Sequence, residues 1–379
     1  VAIALLLASG TGARADPHPL PPIAPPPADA PILRPARVPL IIGGNLLVLL
    51  PPTLYYFATT NLQREDFELD WDWPSWRMKL TSFDAMALDT GNWTSNAIRH
   101  PIAGALSYQV VRASGYGAVT ATVIDTAASV FWEYVVEYRE QISINDLVVN
   151  AAAGFLVGEP LFQLGRIADL PGAGWARTAL AWVASPFHRL YAAADYASWR
   201  PLPAPWTRLA LSLGGGTADH GAARDHEAAI GLDLELVADP RHGSQGHRRG
   251  RVRAGGWNRV VVEVRGDDDG VSRVQFRSRT TYGGRSWYDV GPDGGRDVVL
   301  DAAAGFDYET RRLADEWDRL AVLHLVGARL TYERLGGPGR ATLELGGAAD
   351  VGMVQAHVFG PVLPFEPRPQ HAVLPSRGY

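Results

Sequence analysis

The sequence predicts an α+β protein: an N-terminal helical domain, then an antiparallel β-barrel of the outer-membrane type that either closes at eight strands or is cut short. Three observations predict it. Between Asn96 and Glu159, three consecutive helical segments carry polar or glycine residues at four-residue spacing. Beyond Trp206 the hydrophobic period changes to two, the mark of strands with one apolar and one polar face. The chain opens on an apolar run followed by a proline-rich stretch, the pattern of an exported protein.

In chain order, residues 1–15 read as the remnant of a signal peptide. The run Val1 to Gly10 is too short to cross a bilayer, and Ala13-Arg14-Ala15 is an A-x-A cleavage site, so the chain is expected to begin inside its own signal peptide. Residues 16–39, with Pro21-Pro22 and Pro25-Pro26-Pro27, are expected to form an extended tether. The helical domain is expected over 40–200, the barrel over 201–360 and a proline-rich tail over 361–379. A length of 379 residues suits such a division. A net charge of -5 and a pI near 6.1 leave no basic footprint for a nucleic-acid partner. The absence of cysteine excludes disulfides and thiolate ligands.

Residues 38–60 are long enough to span a membrane, but Pro51-Pro52 should break the helix and Asn45 is polar midway. A broken helix packed on the domain or lying at a membrane surface is expected, with a true span as the alternative. The segment Asp70 to Trp76 alternates acid with indole and suits a membrane interface or a packed loop.

The three helices carry the stripes His100, Gly104, Tyr108, Arg112; Asp125, Ser129, Glu133, Glu137; and Asp146, Asn150, Gly154, Gly158. Residues four apart share a helix face. The rest of each segment is apolar (Val110, Val111; Val119, Val123, Val130, Phe131; Leu147, Phe155), so both faces are expected to be removed from water. The stripes should then face each other. Buried charges must be paired or change protonation state, and Arg112 is expected to fork to Glu133 or Glu137. Pro101, the pair Gly115 and Gly117, and Ser143 with Asp146 at capping-box spacing mark the helix boundaries.

Beyond Trp206, Ile230, Leu232, Leu234 and Leu236 alternate with Gly231, Asp233 and Glu235, and comparable runs follow over 273–279, 300–309 and 322–332. A charged face beside a thin aliphatic one suits a wet lumen and a lipid-facing exterior. Seven strands are clear and an eighth is placed over Met353 to Phe359. Trp206, Trp257, Tyr282, Trp287, Tyr308 and Tyr332 fit interfacial girdles. The arginines of 273–279 should line the lumen and either bias it toward anions or pair with Asp233 and Glu235 across it, and the basic cluster from Arg241 to Arg253 should be a solvated loop, with contact to lipopolysaccharide phosphates as the alternative. The acidic turn Gly266 to Gly270 reads as a hairpin tip. A soluble ligand-binding barrel is the structural rival.

The run Asn96 to Tyr108 with His100-Pro101 and Gly104, then Arg112 to Tyr116, Trp132-Glu133-Tyr134 with Glu137, Ser143 to Leu147, and Gly154 to Glu159 resembles the bacterial domain of unknown function 3943 family. The resemblance covers roughly residues 80–165. It implies an exported envelope protein in which this helical domain precedes a strand-rich region, and it implies no activity. The chain has Asn150-Ala151 where the family more often has threonine, and Ile102 where it more often has an aromatic. The third helix is also similar, over a short stretch, to VanZ-like membrane proteins.

These residue types make His100, Glu133, Glu137 and Asp146 the candidate catalytic groups, and Tyr108, Arg112, Asn145, Asn150 and Glu159 the candidate binding groups. A structural or binding role at the outer membrane or in the periplasm is the leading expectation, with membrane lipid or lipopolysaccharide as partner. The alternative is a hydrolase or transferase acting on envelope lipid or glycan, with His100 and Glu133 as base and acid and Arg112 holding an anionic group. His100, Glu133, Glu137 and Asp146 offer nitrogen and oxygen ligands but lack a paired-histidine spacing, so neither metal nor cofactor is expected.

Overall fold

The computed structural model describes residues 38–59, most of 69–194, most of 206–358, and 372–373. The signal-peptide remnant, nearly all of the tether and nearly all of the tail lie outside the described residues.

Helix α1, Val38–Thr59, runs unbroken through Pro51 and Pro52. The expected break is therefore absent. Two prolines remove two ladder donors, yet the helix continues on either side, where Thr53 Oγ1 donates to the Leu49 carbonyl at 2.7 Å and Asn45 Nδ2 to that of Ile41 at 2.9 Å. Helix α2, Trp73–Thr81, starts at Asp72, whose carboxylate accepts the Ser75 N–H at 2.9 Å. A small parallel pair, β1 (Met86–Ala87) and β2 (Ile142–Ser143), ties the segment before the helical bundle to the segment within it.

The bundle is built from α3 (His100–Ala113), α4 (Ala118–Phe131), α5 (Ile144–Ala153), α6 (Glu159–Ala168), α7 (Trp175–Ala184) and α8 (Pro186–Ala193). One-turn π-helical stretches precede α3 (Ser95–Arg99), extend α4 (Trp132–Val136) and join α5 to α6 (Gly154–Gly158). Ser143 Oγ accepts the Asp146 N–H at 3.1 Å at the start of α5. Glycine at 115, with φ 89°, makes the turn between α3 and α4.

Glycines set how closely these helices approach. A Cβ at Gly104 would overlap the Asn150 carbonyl oxygen, and one at Gly154 would overlap the Asp125 carboxyl. The stripes do meet. The opposite faces are not buried, however: Val119, Val123, Val130 and Phe131 on α4, Ile98 and Ile102 around the start of α3, and most large apolar residues of α1 are exposed.

The sheet contains β3 (Trp206–His220), β4 (Ala223–Val237), β5 (Gly246–Val252), β6 (Trp257–Asp267), β7 (Gly270–Gly291), β8 (Gly294–Leu313), β9 (Glu316–Leu335) and β10 (Ala341–Gln355). Its order is β10-β9-β8-β7-β6-β4-β3, with β5 pairing the part of β7 beyond β6, and all pairs are antiparallel. The eighth strand lies earlier than the sequence pattern placed it. Among the described residues β3 and β10 pair only with β4 and β9, so the sheet is open and the expected barrel is not closed. Closure requires one consistent tilt and shear around the ring. Here the register shifts at Arg265/Gly266, Thr281/Gly283, Ala303/Gly305 and Ala349/Asp350 set the curvature locally, and alternation of residue types does not encode them.

One face carries the charges. Asp233 is bound by Arg259, Glu235 by Arg208, Glu309 by Arg273, Asp307 by Arg279, and Asp301 by Arg329. Arg273 and Arg279 of β7 thus pair with β8, and Arg277 donates to Gln275 of its own strand, not to Asp233 or Glu235: Arg279 and Asp307 sit almost opposite each other on adjacent strands, whereas β4 is two strands away.

The other face is apolar, and the helical domain sits on it. Tyr108, Val111, Phe155 and Leu156 share one core with Ala304, Phe306, Ala321 and Leu323, and Phe155 stacks on Tyr282 at 4.9 Å. Trp257, on the charged face against His242, is buried, and Tyr308 packs beside Trp93, so neither belongs to a girdle; Tyr282 stays partly exposed beside Phe155. Beyond the footprint of the helices the apolar face is exposed at Leu209, Leu211 and Leu213 of β3, and at Leu300, Leu330 and Leu345, which lie side by side across β8, β9 and β10. The basic cluster is not a loop: His247 to Arg251 form β5, and His242 is buried.

Candidate functional site

The stripes split into two polar clusters, because α6 adds a carboxylate that α4 was expected to supply. In the first cluster Glu159, fully buried, accepts four hydrogen bonds: Tyr108 Oη at 2.8 Å, Arg112 Nε at 2.7 Å and Nη2 at 3.0 Å, and Gln163 Nε2 at 2.6 Å. The guanidinium also donates to the Tyr116 carbonyl at 2.6 Å and stacks 4.8 Å from the Phe162 ring centre. Arg112 therefore forks to Glu159, not to Glu133 or Glu137. Glu159 is the first residue of α6 and abuts the sheet: a Cβ at Gly255, between β5 and β6, would stand 2.5 Å from Glu159 Oε1. A carboxylate with four donors and a bidentate arginine is a satisfied joint.

The second cluster surrounds a pocket of about 590 Å³ between α1 and the bundle. The wall from α1 is Val48, Leu49, Pro51, Pro52, Tyr55 and Tyr56; the bundle contributes His100, Gly104, Ser107, Asp125, Ser129, Trp132, Glu137 and Asn150. Apolar walls with a few convergent polar groups are the usual composition of a small-molecule site. His100 Nε2 lies 3.5 Å from Asp146 Oδ1. Arg99, exposed at the rim, stacks over Tyr55 at 5.9 Å.

Asp125 is the most unusual lining group. It is fully buried, and neither carboxyl oxygen has a hydrogen-bond partner among the described residues. Burial pushes it well above the usual carboxylate range, which favours its protonated form. Ser107 offsets part of this, but its hydroxyl proton goes to Asn45 Oδ1 at 2.7 Å. Asn150 Oδ1 is likewise buried without a partner among the described residues.

Glu133 and Glu137 sit at the lower end of α4. Burial, then the charge of Glu137, push Glu133 up to about 9, against the Ser143 N–H that it accepts at 2.8 Å. Burial, then the charge of Glu140, push Glu137 up to about 8. Lys79, buried beside them, donates to the carbonyls of Glu137 and Glu140 at 2.6 and 2.8 Å.

The structure thus brings His100, Glu137 and Asn150 to the pocket, with Asp146 beside His100. Tyr108, Arg112 and Glu159 are gathered in the joint with the sheet, and Glu133 is turned to the start of α5. The side chain of Asn145 is outside the described residues. Sequence reasoning missed Ser107, which sits between two stripe positions, and the whole α1 wall. The length and apolarity of α1 were visible, but not what it covers.

Fold and site together define a helical domain with an internal pocket, seated on the apolar face of an open antiparallel sheet. Residues 85–187 match the family model described as Domain of unknown function (DUF3943), so the chain resembles that family over α3 to α7 and the start of α8. No curated protein and no solved structure matches the chain.

Proposed function

We propose that the protein is a cell-envelope protein of the outer membrane that binds a membrane lipid in the pocket behind α1. The observation that carries this is the floor of the pocket: the Asp125 carboxyl and the Asn150 amide oxygen, both buried with hydrogen-bonding capacity unused. Polar groups in that condition cost free energy until a ligand satisfies them. Around them the walls are apolar, which suits acyl chains, and Arg99 at the rim suits an anionic head group.

The outer surface supports the same reading. Helix α1 is long and apolar enough to cross a membrane, and only 6% of that stretch is buried inside the protein. The segments Ala118–Val136 and Asp146–Ala168 also reach that length and apolarity, but we take them as elements of the bundle, since they carry Asp125, Glu133 and Glu159. With α1 and the exposed leucines of β3, β8, β9 and β10 against lipid, and the charged sheet face turned away from it, the sheet has the polarity of an outer-membrane sheet.

The test is to purify the full chain from envelopes in mild detergent and weigh it intact with its bound lipids. Lipid retained by the wild type and lost in Ala128→Trp, which fills the pocket, supports the proposal. Equal lipid in both, or none above a soluble control, overturns it. Fractionation of the native cell tests the location: recovery with the inner membrane or the cytosol defeats it.

The His100–Asp146 pair favours a second reading, a hydrolase or transferase acting on envelope lipid or glycan. An imidazole oriented by a carboxylate is an acid–base device. Since Arg112 is engaged with Glu159 and Glu133 with Ser143, such chemistry would rest on His100, Asp146 and Asp125. Loss of lipid turnover in His100→Ala with unchanged lipid binding would select this reading over simple binding.

A further inference from the structure

The sheet contains a second candidate site, on its charged face and away from the helices. Near the turn between β7 and β8, Asp297 and Glu333 are direct partners across β8 and β9, and they are only 2% and 1% exposed. Like charges directly opposite each other destabilise a ladder, and carboxylates withdrawn from water require a cation or a proton. The group between them is an imidazole. His242, from the connection between β4 and β5 and 7% exposed, sets Nδ1 3.4 Å from Asp297 Oδ2 and Nε2 3.9 Å from Glu333 Oε2.

The surroundings fix that ring. Trp257 meets His242 edge-on at 5.4 Å between ring centres, and the Trp257 indole N–H donates to Glu235 Oε1 at 2.8 Å. Further along the same face Asp301 is clamped by Arg329 through Nε at 2.9 Å and Nη2 at 2.5 Å, and accepts the Thr281 hydroxyl at 2.7 Å. The layer beside it gathers an imidazole and two carboxylates, all buried.

We propose that His242, Asp297 and Glu333 bind a divalent transition-metal cation. One ligand atom from each lies within 4.8 Å of the others. Bonds of about 2.1 Å give a coordination polyhedron with edges of roughly 3.0–3.4 Å, so binding draws the three side chains together by about one ångström. Imidazole with two carboxylates suits zinc, iron(II) or manganese(II), whereas calcium takes six to eight oxygens and copper(I) prefers sulfur. Bound there, the cation neutralises the opposed carboxylates and fastens the β4–β5 connection to β8 and β9. This site is independent of the lipid pocket.

The test uses the full chain, stripped with EDTA and titrated with zinc(II) by calorimetry and thermal unfolding. One zinc per chain at micromolar concentration, with a rise in Tm, is expected. His242→Ala and Asp297→Asn should each weaken binding at least tenfold, and His247→Ala, at an exposed imidazole 2.7 Å from Asp289, should leave it unchanged. No saturable zinc, or a His242→Ala chain that binds as the wild type does, overturns the proposal. Should the variants fail to fold, the wild type loaded with copper(II) decides by pulsed electron paramagnetic resonance: coupling to a single imidazole nitrogen is required, and its absence overturns the assignment.

Discussion

Arg112 holds both oxygens of Glu159, Nε at 2.7 Å from Oε2 and Nη2 at 3.0 Å from Oε1, and the carboxylate so held is the one that lies against Gly255 of the sheet. A single ion pair therefore orders the bundle, by joining α3 to α6, and sets the seat of the bundle on the strands. Glu159→Gln leaves a buried guanidinium without its counter-charge. Removal of one partner of such a pair costs about 3–5 kcal/mol, and the chain should unfold at correspondingly lower denaturant in a urea titration. A loss under about 1 kcal/mol would show the pair to be no stronger than a surface one.

Gly255 has φ +70°, a conformation that side chains disfavour, and it faces Glu159. Gly255→Ala should cost on the order of 1–3 kcal/mol and should loosen the joint without unfolding either part. Hydrogen exchange is the measurement: faster exchange at α6 and β6, with slow exchange retained in α3 and β8, is expected.

Gly154 lies where a methyl group would overlap the Asp125 carboxyl. Gly154→Ala should lower stability by about 1–3 kcal/mol through overpacking. Asp125→Ala in the same chain should recover much of that loss, a coupling read from a double-mutant cycle in thermal unfolding. Additive losses would mean that the two side chains do not share the space.

Glu133 and Glu137, held at about 9 and about 8 against an ordinary 4.5, make stability depend on pH. Their folded-state values are raised, so the folded chain binds more protons than the unfolded chain between these limits. The contribution is complete below about pH 4.5 and is lost as pH rises to about 9. The urea midpoint should therefore fall across this range, and Glu133→Gln should flatten the fall. A midpoint that rises with pH would contradict the burial of these groups.

Leu300, Leu330 and Leu345 form an exposed apolar row. Arginine at Leu300 and Leu345 should leave the isolated fold intact and reduce flotation with lipid vesicles, since a charge facing hydrocarbon costs about 2–4 kcal/mol at mid-depth. Unchanged flotation would remove this face from the membrane.

Much of the helical site was legible because helix periodicity is local. The four-residue spacing of His100 to Arg112, Asp125 to Glu137 and Asp146 to Gly158 put polar groups and glycines on facing surfaces, and the close contacts at Gly104 and Gly154 follow from it. The partner of Arg112 was not legible. Glu133, Glu137 and Glu159 are chemically equivalent on paper, and the choice fell to Glu159 because the π-helical turn at Gly154–Gly158 carries it under α3. The pocket was hidden for a similar reason: α1 is separated from α3 by some forty residues and joins the site only through packing.

The sequence by itself determined the change from helices to strands near residue 200, where the glycines of the three stripes permit close approach, and that one face of the sheet is charged and the other apolar. Periodicity and backbone permissiveness are properties of neighbouring residues, so they survive without a fold. Only the tertiary structure decided that the helices cover part of the apolar face, that the sheet stays open, and that His242 meets Asp297 and Glu333. Those outcomes depend on register shifts and on groups distant in sequence, where many pairings are chemically permitted and packing selects one.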